Sequence, residues 1–475
     1  MSPVREPQYD QILLMPPALD EWLPLDHPAR FIREFVEMLD LDDLGFVVPT
    51  GERGRPPYSA DMLLKVWVFG YMFRIRSSRK LERACRDNIS LLWLTGMHYP
   101  DHNTLWRFFR VNRQALRKVF RATVLVAQGS GLVGLLAHIL DGTRIAAQVA
   151  REKGWNKKRL EKKLRELDEA IEEILEQIEA AEVQEQGEYR LPEELVDTQE
   201  RRAKIAAVLQ ELEEAGTSNL HPSDRDARMV KSGGQLVFGY NAQAAVDEGS
   251  GIIVAAELLN EAADNGALVP MIESIEQTLG ENAQETVTDG GYYAPEQLAT
   301  AEKMGKEVLV SLKGNTKLPP EGARFHKYHF QYDEERDEVI CPEGKRLVYE
   351  RTKKNRTGKF LERRYRCHHH ECPYRAECSK EPRGRSLDWG PYEGVVRRQA
   401  EKQQQPEKQA LLKRRMVVVE PVFAQVKANM EFRQFTVRGL ENVQTQWSLV
   451  CSAFNLQKLH KKWQAGKLII LNTAR

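Results

Sequence analysis

The stretch Leu135–Ala147, LLAHILDGTRIAA, decides how the rest of the chain is read. Leu135 to Leu140 reads as an apolar strand that runs straight into an acid, Asp141, followed by Gly142, Thr143 and a second short apolar piece. A carboxylate at the end of a buried strand is poorly solvated and needs a cation or a donor beside it. The expectation is that Asp141 is a metal ligand on the central strand of a sheet. Further carboxylates must then reach it from elsewhere in the chain.

After Asp141 the sheet text is interrupted. Leu160, Leu164, Leu167, Ile171, Ile174, Ile178 and Ala181 follow the 4–3 spacing of a coiled-coil seam. Gly187 and Pro192 break it, and Ile205, Leu209 and Leu212 lead back along a second helix. Residues 151–216 are therefore expected to be a helical hairpin inserted into a sheet domain. Two β-rich runs follow, Leu236–Val246 and Gly251–Leu258, joined by the hairpin signal Asp247-Glu248-Gly249-Ser250. A helix over Ala267–Leu279, a strand over Glu285–Thr288 ending at Asp289, a helix over Pro295–Met304 and a strand over Glu307–Ser311 complete the pattern.

Residues 313–405 break it. They are rich in Lys, Arg, Gly and Pro and hold Cys341, Cys367, Cys372 and Cys378. Four thiols suit a structural Zn²⁺, with His368 to His370 as alternative ligands, or a set of reduced, unliganded cysteines. Residues 406–465 return to helix, with Lys408–Glu431 interrupted only by Pro421 and further helical text from Val443 to Gly466.

Upstream, residues 1–50 form an acidic helical segment, with Phe31, Phe35, Met38 and Leu39 on one amphipathic helix. The Gly/Pro/Arg-rich stretch Gly51–Pro57 reads as a linker. Residues 51–125 read as short helices with a basic face, in the manner of a helix-turn-helix module. Arg79, Lys80 and Arg83 surround Leu81 and Cys85 on one helix. Trp106, Phe108, Phe109 and Arg110 lie on another, capped by Asp101 or Asn103.

The chain has 475 residues, 29% charged and 41% hydrophobic, which is long enough for two to four soluble domains. Net charge is only +1, but it is unevenly placed. Residues 1–50 carry 3 basic against 10 acidic side chains, residues 51–120 carry 14 against 5, and residues 341–415 carry 21 against 10. Two basic blocks on a neutral chain point to local phosphate contacts. No run approaches the ~18 apolar residues of a membrane span. The opening residues carry no secretory pattern, and six cysteines do not make a disulfide scaffold, so a reducing cytoplasm is expected.

Three acids stand out: Asp141 and Asp289, each closing an apolar strand, and Glu420 inside the apolar run Met416–Phe423. Strand ends in open α/β sheets gather ligand sites. Three carboxylates can hold the two divalent ions that phosphodiester chemistry uses. Asp226, Asp247 and Asp264 compete for a place, read respectively as a loop residue, a hairpin-turn residue and a helix cap. Asn241 and Gln243 alternate on one strand face and are suited to orienting a carboxylate. Tyr292 and Tyr293 are suited either to stacking on bases or to packing.

The joint pattern resembles a family, the DDE transposases of bacterial insertion sequences. The matching text is LDGTRI around Asp141, GYNAQAAVD from Gly239, TDGGYY around Asp289 and EPVFAQVK from Glu420. RPPYSADMLLKVWVFGY, SSRKLERACRDN and PDHNTLWRFFR look like that family's N-terminal region. The resemblance runs from about residue 50 to 460. It implies an α/β, ribonuclease H-like mixed sheet in residues 130–150 and 217–312, completed by the helices of 406–465. It implies that Asp141, Asp289 and Glu420 are the catalytic and metal-binding acids for two Mg²⁺ or Mn²⁺ ions, Asp141 bridging both. Lys427, seven residues after Glu420, matches the signature lysine on the same helical face, and Arg414 or Arg415 approximates the signature arginine. The signature tyrosine is missing from Gln409–Leu412. The implied partners are double-stranded DNA, as element ends and target, and at least a second copy of the chain. The implied reaction is hydrolytic cleavage followed by transfer of the freed 3′-hydroxyl, in the bacterial cytoplasm at the nucleoid. A nuclease that cuts without joining and a catalytically silent DNA-binding regulator are the alternatives.

Overall fold

The N-terminal text folds into short helices: α1 (Pro28–Met38), α2 (Ala60–Met72), α3 (Ser78–Asp87), α4 (Ile89–Thr95), α5 (His102–Val111) and α6 (Arg113–Gly129). The structure is a computed structural model that describes residues 18–48, 56–182, 193–312, 318–319, 321–355 and 358–466. Most of the Gly51–Pro57 linker and the breakers Gly187 and Pro192 lie outside those residues, as do the side chains of Ile178 and Ala181. Phe31, Phe35 and Met38 are buried on α1, as their spacing implies, and Leu39 is its C-cap. Every residue of α2 from Met62 to Met72 is buried, including Lys65, whose Nζ lies 3.0 Å from Asp61 and 3.2 Å from Glu37. Asp101 caps α5 by accepting the Thr104 N–H at 2.8 Å, which satisfies one of the orphan donors of a helix start. Gly96 ends α4 at φ +57°, the left-handed turn a glycine takes without strain. Residues 1–131 form one compact unit with 428–431 and 444–475, and Cys85 and Cys451 are buried in it.

The second unit comprises residues 132–427 and 432–443. Its elements are β1 (Ala137–Ala146), β2 (Trp155–Asn156), α7 (Lys157–Glu182), α8 (Glu193–Glu214), β3 (Asn219–Leu220), β4 (Arg228–Ser232), β5 (Gln235–Asp247), β6 (Ile253–Leu259), α9 (Leu268–Leu279), β7 (Glu285–Thr288), α10 (Pro295–Lys303) and β8 (Val308–Val310). They are followed by β9 (Gln331–Asp333), β10 (Glu338–Ile340), β11 (Arg346–Lys354), β12 (Leu361–Cys367), α11 (Arg375–Cys378), β13 (Ser386–Trp389), α12 (Glu393–Lys402) and α13 (Pro406–Ala424). A last helix, α14 (Leu440–Gln464), starts in this unit and belongs to the first from residue 444.

Asp141 does not end its strand. β1 continues five residues past it because β5 pairs with it antiparallel from His138↔Asp247 to Ala146↔Gly239. What stops near the acid is the parallel half, where β7 pairs only with Ala137, His138 and Ile139. β8 extends the parallel edge. On the other edge of β5, β4 pairs with its first half and β6 with its second. The resulting path is a mixed sheet, β4-β5-β1-β7-β8 with β6 also on β5. Every residue of β5 from Phe238 to Asp247 is buried, the signature of a strand with neighbours on both edges and cover on both faces. α9 packs on β6 and β5, and α13 on β1 and β7.

Between β1 and β4 stand α7 and α8. The two-residue ribbon of β2 and β3 joins their base, with Asn156 Nδ2 donating to Asn219 Oδ1 at 2.9 Å. Leu160, Leu164, Leu167, Ile171 and Ile174 are half-buried along α7, and Leu212 of α8 is buried. Residues 331–389, whose text showed no strand periodicity, form a five-stranded antiparallel sheet, β13-β12-β11-β10-β9. Phe330, Val339, Leu347, Tyr365 and Leu387 make its own small core, with Cys341, Cys367 and Cys378 packed against it.

His138, the second residue of β1, is fully buried, and neither ring nitrogen has a hydrogen-bond partner. Burial pushes its pKa down to about 4, against the pull of Asp247. Folding therefore expels a proton that the unfolded chain binds below about pH 6.5, and this stability is lost as pH falls from 6.5 towards 4. A drop of about 2.5 units corresponds to about 3 kcal/mol. His138→Leu should flatten the fall of the thermal midpoint between pH 7 and 4.5; an unchanged fall would show that other groups carry the acid lability.

Candidate active site

The parallel register brings two of the expected acids together. Ala137 pairs with Glu285, His138 with Thr286 and Ile139 with Val287. Carried two residues further, the same register sets Asp141 beside Asp289, just past the end of β7. Asp141 Oδ1 accepts its neighbour Gly142 N–H at 2.8 Å, and Asp289 Oδ1 accepts Gly291 N–H at 2.8 Å. Burial pushes the Asp141 carboxyl up to about 6. The Gly142 N–H and Arg415 oppose the shift, while the charges of Asp289 and Asp264 add to it.

α13 runs along β1 and β7. Lys408 Nζ lies 2.5 Å from Glu285, and Arg415 Nη1 lies 3.2 Å from Asp141 Oδ2. Arg414 turns elsewhere, to Glu248 at 2.6 Å. Glu420 is on the same helix but exposed, and among the described residues no hydrogen bond or ion pair joins it to the Asp pair. Pro421 lacks the N–H an α-helix interior uses, and residues 425–429 continue α13 as a π-turn. The α-helical rotation that would set Lys427 on Glu420's face therefore does not carry through. Lys427 is half-buried in that π-turn, and burial followed by the charges of Arg144 and Arg433 lowers its pKa.

Asp264 was expected to cap the next helix, but Ala267 takes that position. Its carboxylate instead accepts from Asn241 Nδ2 and Gln243 Nε2, each at 2.8 Å, and from Arg144 Nη2 at 2.9 Å. The pairing of Asn241 and Gln243 with a carboxylate is as their alternation suggested; the carboxylate is Asp264's. The signal was the i, i+2 spacing of two amides on a buried strand, which demands an acceptor. Tyr292 is buried and its hydroxyl donates to Gln243 Oε1. Asp247 accepts from Gly134 and Ser250 and is spent on loops, while Asp226 accepts Leu440 N, the first N–H of α14.

Oxygen-only donors suit a hard divalent cation, and the half-buried, mutually repelling pair Asp141 and Asp289 fits one by its chemistry. Glu420 does not stand with them, and among the described residues no three His, Cys, Asp or Glu side chains form a group that could hold a metal ion. The four cysteines of the small sheet are free of disulfides. Burial raises the Cys378 thiol pKa, Arg385 opposes it, and Cys341, Cys367 and Cys372 add to it; Cys341 Sγ accepts the Lys345 N–H at 3.3 Å.

The basic blocks separate into two kinds. In the small sheet several cations are spent internally. Arg346 meets Asp333 and Glu338, Arg364 meets Asp388, and Arg366 meets Glu350 and Glu381. On α3, by contrast, Arg79, Lys80 and Arg83 are exposed with no ion-pair partner among the described residues. The same holds for Arg107 and Arg110 on α5, which with Asn103, Trp106, Val111 and Arg113 line a cleft of about 490 Å³.

A family model described as "Transposase DDE domain" matches residues 340–460, and one described as "Transposase domain (DUF772)" matches residues 17–111. Both matched stretches are transposase domains, which supports a DDE-type transposase of insertion sequences. The first match takes in Glu420 and Lys427, whereas Asp141 and Asp289 lie outside both. No curated protein and no solved structure matches the transposase. A DDE domain implies a ribonuclease H-like fold, and the mixed sheet accords with it. No helix among the described residues is long and apolar enough to cross a membrane.

Two half-buried carboxylates held together without a cation repel each other. Asp289→Asn should therefore raise the thermal midpoint in chelator by about 2–5 °C and abolish the further rise that Mn²⁺ produces in the parent. Equal Mn²⁺ stabilisation of both proteins, followed by differential scanning fluorimetry, would remove Asp289 from the metal site.

Proposed function

We propose that this transposase binds the ends of its element, cuts them and joins the freed 3′-hydroxyl to target DNA, using Asp141, Asp289 and Glu420. The observation that carries this reading is the parallel register of β1 with β7, which sets Asp141 and Asp289 side by side under α13. Asp141 and Asp289 would hold the divalent ions, with Glu420 supplied from α13. When bound, such ions activate the attacking oxygen and stabilise the leaving one. Arg415, paired with Asp141, and Lys427, near Arg144, would serve as charge-assisted donors to a phosphate. Cutting and joining two ends calls for at least two copies of the chain.

The free cations of the first unit suit DNA. Asn103, Arg107 and Arg110 lie at i, i+4 and i+7 on α5 and are all exposed, which makes one stripe on one helical face. Asn and Arg are the side chains that read adenine and guanine edges by paired hydrogen bonds, so α5 is assigned the reading helix. Arg79, Lys80 and Arg83 on α3 supply phosphate contacts.

A supercoiled plasmid carrying the element ends tests the whole. With Mg²⁺ the parent should give joined products, while Asp141→Asn should lose cutting by at least about 10³-fold and keep end binding. Free breaks alone support a nuclease. The exposed position of Glu420 favours a second reading, a silent DNA-binding regulator, which predicts binding without cutting. Replacing Arg79, Lys80 and Arg83 together by Ala should weaken binding to all sequences and lower the log–log salt slope by about 2–3. Arg107→Ala should instead erode the preference for element ends over scrambled DNA; an unchanged ratio in gel shifts removes α5 as reader.

A further inference from the structure

We infer that Asp264 is a positioning residue that sets the separation of Asp141 and Asp289. The inference rests on the reading of those two acids as the reacting pair. Asp264 comes from the loop after β6, yet it ties together three segments. Its Oδ2 takes Arg144, three residues beyond Asp141 on β1, at 2.9 Å. Its Oδ1 takes Asn241 and Gln243 of β5, each at 2.8 Å. Gln243 in turn accepts the hydroxyl of Tyr292, three residues beyond Asp289. One carboxylate thus links the strand that carries the first acid to the loop that carries the second.

Its own loop is stitched down as well. Arg144 Nη2 also donates to Ala262 O at 2.7 Å, Asn241 Nδ2 to Ala263 O at 3.3 Å, and Ala267 N to Asp264 O at 2.9 Å. The two glycines that follow the acids are pressed against the same carboxylate. A methyl on Gly142 would meet Gln243 Nε2 and stand 2.8 Å from Asp264 Oδ1. A methyl on Gly291 would stand 2.9 Å from Asp289 Oδ1 and 3.3 Å from Asp264 Oδ2. Glycine at both positions lets the network close up against the acids.

With three donors, one of them a guanidinium, Asp264 is satisfied where it is and is not a further metal ligand. An amide in its place would turn N–H groups towards N–H donors, so Asp264→Asn opens the link at nearly constant volume. Tyr292→Phe removes only one hydroxyl at its far end. Both variants act through the acids and not on DNA.

The test uses the full-length transposase on supercoiled plasmid bearing element ends, under single-turnover conditions. Asp264→Asn should slow cutting by about 10- to 100-fold, with Tyr292→Phe smaller in the same direction. End affinity should stay within about two-fold of the parent, and the midpoint rise produced by Mn²⁺ should shrink in the absence of DNA. Cutting within about two-fold of the parent by both variants, while Asp141→Asn is inactive, overturns the inference and leaves the acid assignment standing. A rate loss that only follows loss of folded protein or of DNA affinity also overturns it. If Asp264→Asn does not fold, Tyr292→Phe decides. Parent-like cutting by Asp141→Asn overturns the acid assignment and the inference with it.

Discussion

β1 is paired on both edges, and everything else at the site follows from the two registers that result. The antiparallel register with β5 keeps β1 extended through Asp141 to Ala146 and lines up Gly142 with Gln243 and Arg144 with Asn241. The parallel register with β7 ends sooner and leaves Asp289 at the mouth of the gap beside Asp141. A strand cannot slip by one residue without turning every side chain to the other face, so a buried central strand holds its register firmly. The acids gain fixed positions from that rigidity, at the cost of burial and, secondarily, mutual repulsion, which together raise the Asp141 pKa.

Charge is balanced locally around that repulsion. Arg415 answers Asp141 from α13, and Arg144 answers Asp264 from β1. Lys427 and Arg433 add positive charge from the segment after α13. In the small sheet, in contrast, Arg346, Arg364 and Arg366 are consumed by its own Asp and Glu residues. Net charge along a segment is therefore a poor guide to where phosphate binds. The guide is which cations lack a carboxylate neighbour, and among the described residues of the first unit those include Arg79, Lys80 and Arg83 on α3 and Arg107 and Arg110 on α5.

Several elements were legible because their pattern is local. The spacing of Phe31, Phe35 and Met38 on α1, the Asp101 cap on α5 and the hairpin at Asp247–Ser250 need only neighbours in sequence. The β9–β13 sheet was not legible. β11, RLVYERTKK, and β12, LERRYRC, are mostly charged, and their strand character comes from pairing with each other. Asp264 was misread for a related reason: before a helix an Asp is most simply a cap, and its three donors come from residues 20 or more positions away.

The sequence by itself determined the candidate acids, the order β1, β5, β6, α9, β7, α10 and β8, the helices between β1 and β5, and the resemblance to transposases. These follow from residue type, period and spacing, all short-range properties. Only the tertiary structure decided that Asp141 lies within its strand, that Asp289 meets it, that Asp264 joins them and that Glu420 stands apart on α13. Those relations depend on strand register and on the π-turn after Pro421, which arise from hydrogen bonds between distant segments that no local pattern encodes.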